Sequence, residues 1–158
     1  MAVAGLASLG IRLGYAVEST KGTKPTAFTG LSRINTIGGI TIDPETIDAS
    51  ALEDLITRNI KGRADTGGSW PVTVNITDDT ITEWTTLITA YKALSEGKRM
   101  WFEVYHPDLT KAFFVIAQPP EYIPMPESSQ NALWTVDMNL TIEEYRGMEE
   151  SVAFTPGE

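Results

Sequence analysis

The 158-residue chain contains no cysteine. That excludes a disulfide scaffold, a thiolate nucleophile and any cysteine-ligated zinc or iron–sulfur centre. It contains one histidine, His106. A metal site built from several imidazoles is therefore excluded, and a Ser-His-Asp constellation would have to use this residue. His106 lies in His106-Pro107-Asp108, a sequence that reads as a hairpin turn. Cations are scarce, with 12 Lys and Arg against 21 Asp and Glu and a net charge of −9. Proteins that grip nucleic acid do so with Lys and Arg on phosphates, so this balance argues against that class. It does not argue against a protein that nucleic acid must pass without sticking. No apolar run approaches the ~18 residues of a membrane span. The opening Met1-Ala2-Val3-Ala4-Gly5-Leu6 lacks the basic region of a secretion signal. Neither GxGxxG nor GxxxxGK[ST] occurs, so no nucleotide cofactor is expected.

The length suits a single domain over residues 1–158. Residues 1–10 are small and apolar and read as a loose N-terminal arm. Ile11 to Glu18 alternates as a strand does, and a second strand is expected from Ser32 to Ile42. Gly38-Gly39 inside it marks a bulge or the close approach of another backbone. Residues 43–69 form a long polar loop between early strands. Asp48 or Ser50 there is placed to cap a short helix through Leu52, Leu55 and Ile56, with Ser50-x-x-Glu53 as a capping box. Lys61 to Ser69 reads as open loop. The apolar residues Leu52, Leu55, Ile56 and Ile60 need something to pack against.

Trp70 to Thr77 is the cleanest strand, with Trp70, Val72, Val74 and Ile76 on one face. Asp78 to Glu96 carries Ile81, Trp84, Leu87, Ile88, Tyr91 and Leu94 at helical spacing, with Thr80-x-x-Glu83 as its capping box. Lys98 to Tyr105 and Thr110 to Gln118 read as a hairpin, followed by a proline-rich loop. Asn131 to Thr141 is the last expected strand, with Trp134, Val136, Met138 and Leu140 on its apolar face. Residues 143–158 read as an acidic tail. The sum is α+β, mainly β: an antiparallel sandwich or partly open barrel with one flanking helix and one long inter-strand loop.

Candidate chemistry is thin. Asp43, Glu45 and Asp48 crowd together without the spacing of a calcium loop. Asp78-Asp79 sits at a helix start, where capping accounts for it. No metal site, no cofactor and no catalytic set is expected, so an enzyme is the least favoured class. Three features remain. The polar strand faces Thr73, Asn75, Thr77 and Thr135, Asp137, Asn139, Thr141 hold no Lys or Arg. Trp101 shares a face with Glu103 and Tyr105, a face expected to be covered by a partner. Finally, residues 1–33 carry a net +3 through Arg12, Lys21, Lys24 and Arg33, whereas residues 143–158 carry −4 with Glu149 and Glu150 among them. Opposite ends of this kind either attract each other between copies or are two solvated tails.

The order of segments resembles the major tail tube proteins of long, non-contractile-tailed bacteriophages. Leu13-Gly14-Tyr15 follows a short N-terminal arm, and Gly30-Leu31-Ser32 leads into a strand. Ile47-Asp48-Ala49-Ser50-Ala51-Leu52-Glu53-Asp54 is similar to the family's "IDVTTLDD" segment. Lys61-Gly62-Arg63-Ala64-Asp65-Thr66-Gly67 is similar to its "xGLKDxG" segment. The Trp84 to Tyr91 helix and the Trp101 to Tyr105 strand follow in family order. The resemblance implies hexameric rings stacked head to tail into a hollow tube inside a virion, assembled in the bacterial cytoplasm. It implies a sheet from each subunit around a channel for double-stranded DNA. The long loop, with Asp48, Leu52, Leu55, Lys61, Arg63 and Asp65, is then expected to reach the neighbouring ring. Further partners implied are a tape measure, an initiator and a terminator, and no membrane. The nearest alternatives are a secretion-system tube, a tail terminator or completion ring, and a monomeric ligand-binding β-domain using the Trp101/Tyr105 face.

Overall fold

The computed structural model describes residues 4–95 and 97–155. Ten strands and one helix follow in chain order: β1 (Arg12–Val17), β2 (Phe28–Leu31), β3 (Ile34–Ile37), β4 (Asp43–Asp48), β5 (Asn59–Asp65), β6 (Ser69–Asn75), α1 (Asp78–Lys92), β7 (Met100–Tyr105), β8 (Lys111–Gln118), β9 (Thr135–Glu150) and β10 (Phe154–Thr155). Eight strands form one sheet in the order β10-β2-β1-β7-β8-β9-β6-β3, while β4 and β5 form a separate hairpin. All pairs in the large sheet are antiparallel except the short β10–β2 pair. The architecture is α+β and mainly β, as the alternation predicts.

The sheet curls without closing. Strands in a flat sheet lie ~4.8 Å apart, so β6 and β7, three positions apart, would be separated by about 14 Å. Yet the Trp70 and Phe102 rings they carry meet edge to face at 5.9 Å. Phe28 of β2 and Phe114 of β8, also three positions apart, meet at 5.6 Å. The first pair belongs to the larger core, where Leu13, Val72, Val74, Val115, Met138 and Leu140 pack against Trp84 and Leu87 of α1. The second belongs to a smaller core on the opposite face with Ala16, Trp101, Ala112 and Ile116. Both faces therefore bury apolar side chains, which is why β7 and β8 read as nearly continuous apolar runs.

The helix begins one turn earlier in its capping chemistry than the Thr80-x-x-Glu83 pattern predicts. Thr77 is the N-cap: its hydroxyl accepts from Thr80 N at 3.1 Å, and Thr80 Oγ1 accepts from Thr77 N at 2.9 Å. Thr80 is buried at the third helical position, and Glu83 instead accepts from the Ser32 backbone and hydroxyl. The helix ends at Lys92; Glu96 lies outside the described residues. Thr77→Ala is expected to cost about 1 kcal/mol, the usual value of a hydroxyl cap, measurable by urea unfolding.

Four expectations change. The Ser32–Ile42 strand shrinks to β3, Ile34–Ile37, and a separate strand, β2, lies before it: β2 pairs with β1 and β3 pairs with β6, and Arg33 at φ 53 turns the chain between them. The close backbone approach at Gly38 is real, with Gly38 N donating to Pro71 O at 2.8 Å, and a Cβ there would stand 2.7 Å from that oxygen. The last strand starts at Thr135 and runs through Glu150, so the first half of the expected tail is paired with β8. Trp134 precedes it and is half exposed rather than in the core. Residues 1–3 and 156–158 of the two termini lie outside the described residues.

The fourth change concerns residues 43–69. No helix forms at Ser50. β4 and β5 pair from Asp43↔Asp65 to Asp48↔Asn59, so Lys61 to Asp65 is strand rather than open loop. Short isolated helices are marginal in water unless a face packs, and Leu52 and Leu55 are fully exposed. The two would-be caps close a turn instead, together with Asp54: Asp48 Oδ1 accepts from Ser50 N at 2.9 Å, Ser50 Oγ from Arg58 N at 2.8 Å, and Asp54 Oδ2 from Ala51 N at 2.7 Å. The result is a projecting two-stranded arm.

Candidate functional site

The two polar strand faces singled out in the sequence come together. In the β6–β9 register Thr73 lies opposite Asp137, Asn75 opposite Thr135 and Ser69 opposite Thr141. Thr73 Oγ1 donates to Asp137 Oδ1 at 2.7 Å, and Asn35 Nδ2 on β3 donates to Asn75 Oδ1 at 2.9 Å. Alternation puts Thr73, Asn75, Thr135, Asp137, Asn139 and Thr141 opposite the larger core. They make one uncharged-to-acidic patch three strands wide. Thr77 does not belong to it, since its hydroxyl is spent on the helix N-terminus.

The same face of the sheet continues over the smaller core, and there the cations are neutralised. Glu18, Arg99, Glu144, Arg146, Glu149 and Lys24 form a chain of alternating charges. Arg99 bridges Glu18 at 3.8 Å and Glu144 at 3.0 Å; Arg146 bridges Glu144 at 3.1 Å and Glu149 at 3.3 Å; Lys24 meets Glu149 at 3.6 Å. Arg146 and Lys24 also lie over the rings of Trp101 and Phe114, at 5.3 Å and 3.8 Å. The attraction expected between copies, of Lys24 for the acidic end, is thus made within one chain. Lys24 Nζ donates to Glu150 O at 2.9 Å as well. Lys21 is exposed, its stem against Gly97.

Trp101 needs no partner protein to cover it. It is 1% exposed, and its indole N–H donates to Glu18 Oε2 at 2.8 Å. Burial opposes ionisation of Glu18. The Trp101 indole, the Gly22 and Arg99 amides and the Arg99 charge outweigh that and hold the carboxyl below its usual range. The cover is the chain's own end, with Val152 and Phe154 packed on this core. Phe154 sits on Gly14, where a Cβ would stand 2.7 Å from the ring. Tyr105 meets it edge to face at 5.9 Å, and the Arg12 guanidinium lies 5.3 Å from its centroid. Sequence inspection missed this strap because its docking surface is glycine, which carries no side-chain signal.

Glu103 lies beneath the strap, fully buried, with Oε2 accepting from Val152 N at 3.0 Å. Burial pushes its carboxyl up, and the Val152 amide and the Lys24 charge pull it back only in part. A carboxyl raised in the folded state favours that state at low pH, and the advantage is lost as pH rises through the raised value. Glu103→Gln is expected to flatten this contribution. Thermal unfolding of both proteins between pH 4 and 8 should show the variant gaining relative stability toward the alkaline end.

The arm carries the remaining expected residues. Asp48 and Asp65 lie at opposite ends of its ladder, with Lys61 and Arg63 on β5. Leu52, Leu55 and Ile56 cluster at its tip and are almost wholly exposed, and Ile42, Ile47 and Ile60 are half exposed along it. His106 is structural: Asp108 N donates to Nδ1 at 3.0 Å, which leaves Nε2 to donate to Ala7 O at 2.6 Å. That bond pins the N-terminal arm to the β7–β8 turn. Among the described residues no cluster of metal-binding side chains occurs, and no helix is long and apolar enough to cross a membrane.

No family model and no curated protein matches the chain. Solved structures do, two of them as follows. One is a chain in "Cryo-EM structure of the anti-feeding prophage (AFP) baseplate, 6-fold symmetrised", similar over 95% of this chain and 98% of that one, with 10% identity and a TM-score of 0.56. The other is a chain in "Tail of empty GTA particle computed with helical refinement, C6 symmetry", similar over 94% of this chain and all of that one, with 14% identity and a TM-score of 0.58. The fold is one found in tail particles. Almost the whole of each chain is matched.

Proposed function

We propose that the chain is the tube subunit of a phage-type tail, of the long non-contractile kind that the sequence resembles. Copies form hexameric rings, and rings stack head to tail into a hollow virion tube through which DNA leaves. The observation that carries this is the arm. A chain that folds with three large aliphatic side chains at the tip of a two-stranded projection has left them for another copy. Heterologous contacts of this sort generate open filaments. The six-fold and helical symmetry of the two similar particles supports the same arrangement. Other tail components, including tape measure, initiator and terminator, complete the set of partners.

The patch from Thr73 to Thr141 is assigned to the channel wall. It offers no cation to a passing phosphate, and the nearby Lys24, Arg99 and Arg146 are already bound to carboxylates. Asp137 repels the polyanion within a Debye length of about 10 Å at 0.1 M salt. The first experiment is negative-stain electron microscopy of the concentrated protein at low and high salt. Hollow tubes of uniform diameter support the proposal. Discrete rings favour a terminator or baseplate component, a reading the baseplate similarity keeps in view. Asp137→Lys is expected to leave tubes intact, break the Thr73 hydrogen bond and slow DNA release. Unchanged release from particles built with this variant would remove the patch from the channel.

A further inference from the structure

Glu103 is a carboxyl sealed in the fold with no ion pair among the described residues. Its side chain is fully buried. Oε2 accepts from one donor, the Val152 amide at 3.0 Å. Oε1 is also buried and meets no donor among the described residues. Glu18, on the same face of the sheet, shows what a buried carboxylate requires. The Trp101 indole, the Gly22 and Arg99 amides and the Arg99 guanidinium all serve it. A buried anion with a single hydrogen bond is costly. Glu103 therefore keeps its proton as long as its site stays closed, in line with the upward push of burial on this carboxyl.

The charged groups around it are engaged elsewhere. Along β7 its same-face neighbours are Trp101 and Tyr105. On β1 it faces Gly14, and Arg12, next on that face, lies over the Phe154 ring. On β8 it faces Phe114. On β9 Arg146 and Glu149 pair with each other. Lys24, over Phe114, is held by Glu149 and by Glu150 O, and its charge offsets the burial of Glu103 only in part. What closes the site is slight. β10 pairs with β2 over two residues, Ser151 Oγ donates to Thr110 O at 3.2 Å, and Val152 and Phe154 pack on the smaller core. Terminal segments tied down by so few contacts open at far lower cost than the whole fold.

We infer that Glu103 is a proton-controlled latch on the C-terminal strap: protonated, it keeps the strap docked, and ionised, it releases the strap while the rest of the sheet stays folded. The latch is a property of the single chain and does not depend on the tube. Its sign follows from linkage. With the strap open, water reaches the carboxyl and it ionises in its ordinary range. With the strap docked, it ionises only at higher pH. Between those two points each unit of pH favours the open form by up to about tenfold, and above both the effect levels off. Opening uncovers Phe28 and Phe114, which the strap helps to bury. It also frees the β2 edge, a row of unpaired backbone groups that another strand can join.

Amide hydrogen exchange of the intact chain, read by mass spectrometry from about pH 5 to 9, tests the latch. Parent and Glu103→Gln are compared at each pH, which cancels the chemical dependence of exchange on pH. The strap is followed beside α1 in the same molecules. The expected result is equal strap protection in acid and, toward the alkaline end, strap exchange at least about tenfold faster in the parent than in the variant. Protection of α1 should not differ between them. Equal strap protection at every pH would overturn the latch. A matching difference in α1 would overturn it too, because Glu103 would then act on the whole fold. Phe154→Ala keeps the test decisive if glutamine packs badly. It unseats the strap at every pH, so strap exchange in the parent should approach that of this variant as pH rises. A constant ratio between the two would again overturn the latch.

Discussion

Replacing Leu52 and Leu55 together with aspartate is expected to leave the monomer folded and to abolish its polymerisation. Both side chains are fully exposed in the single chain, and substitutions at such positions usually change stability by no more than about 0.5 kcal/mol. In an assembled contact the accounting differs. Burying a leucine is worth about 1.5–3 kcal/mol, and an aspartate in its place adds the cost of an unpaired charge in an apolar site. Two positions together remove at least ~4 kcal/mol per contact, roughly a thousandfold in the association constant. Each ring would make this contact several times over. The check is a melting curve beside sedimentation and microscopy at matched concentration. An unchanged melting temperature with loss of all large species is the expected pair. An equal fall in melting temperature would mean that the leucines serve the fold.

Trp101→Ala is expected to produce the largest loss of stability of any single change outside the main core. A buried tryptophan cut to alanine costs about 3–5 kcal/mol. Here the indole also supplies one of the hydrogen bonds that keep the buried Glu18 ionised. Leaving a buried carboxylate short of a donor adds to the loss. At roughly 2–4 °C per kcal/mol for a chain of this size, a fall of about 10 °C in melting temperature follows. Trp101→Phe separates the two causes, keeping most of the ring and losing the N–H. Its deficit should grow with the charge on Glu18. The stabilisation held in a depressed carboxyl is present above the unfolded value and lost as pH falls through the folded one. The phenylalanine variant and the parent should therefore converge in acid. Parallel curves would assign the effect to packing alone.

The elements that were legible in the sequence are those whose pattern has a short period. Trp70, Val72 and Val74 announce β6 by alternation, and Trp84, Leu87 and Ile88 announce α1 by helical spacing. The arm misled because its local cues are ambiguous. Asp48 and Ser50 close a hairpin turn with the same oxygens that would cap a helix, and only pairing across ten residues decides between them. The burial of Trp101 was invisible for a different reason. Its cover comes from Val152 and Phe154, some fifty residues on, and seats against Gly14. The polar patch was found strand by strand, but that β6 and β9 are neighbours in the sheet is a fact of long-range topology. The charge balance set a basic N-terminal region against an acidic end between copies, whereas Lys24 and Glu149 meet within one chain. A summed charge says nothing about whether such partners lie in one chain or two.

The arm leaves the sheet between two backbone hydrogen bonds, Gly38 N to Pro71 O and Ile142 N to Gly68 O. The first residues beyond those bonds are Gly39 and Gly67, and a Cβ at either would meet nothing within 4 Å. Gly67 already holds φ +83, a value that L side chains rarely adopt. Ile40, next along on the Gly39 side, still packs on the larger core, so the arm is anchored there by an apolar side chain. On the other side it passes through a glycine whose backbone few other residues would accept.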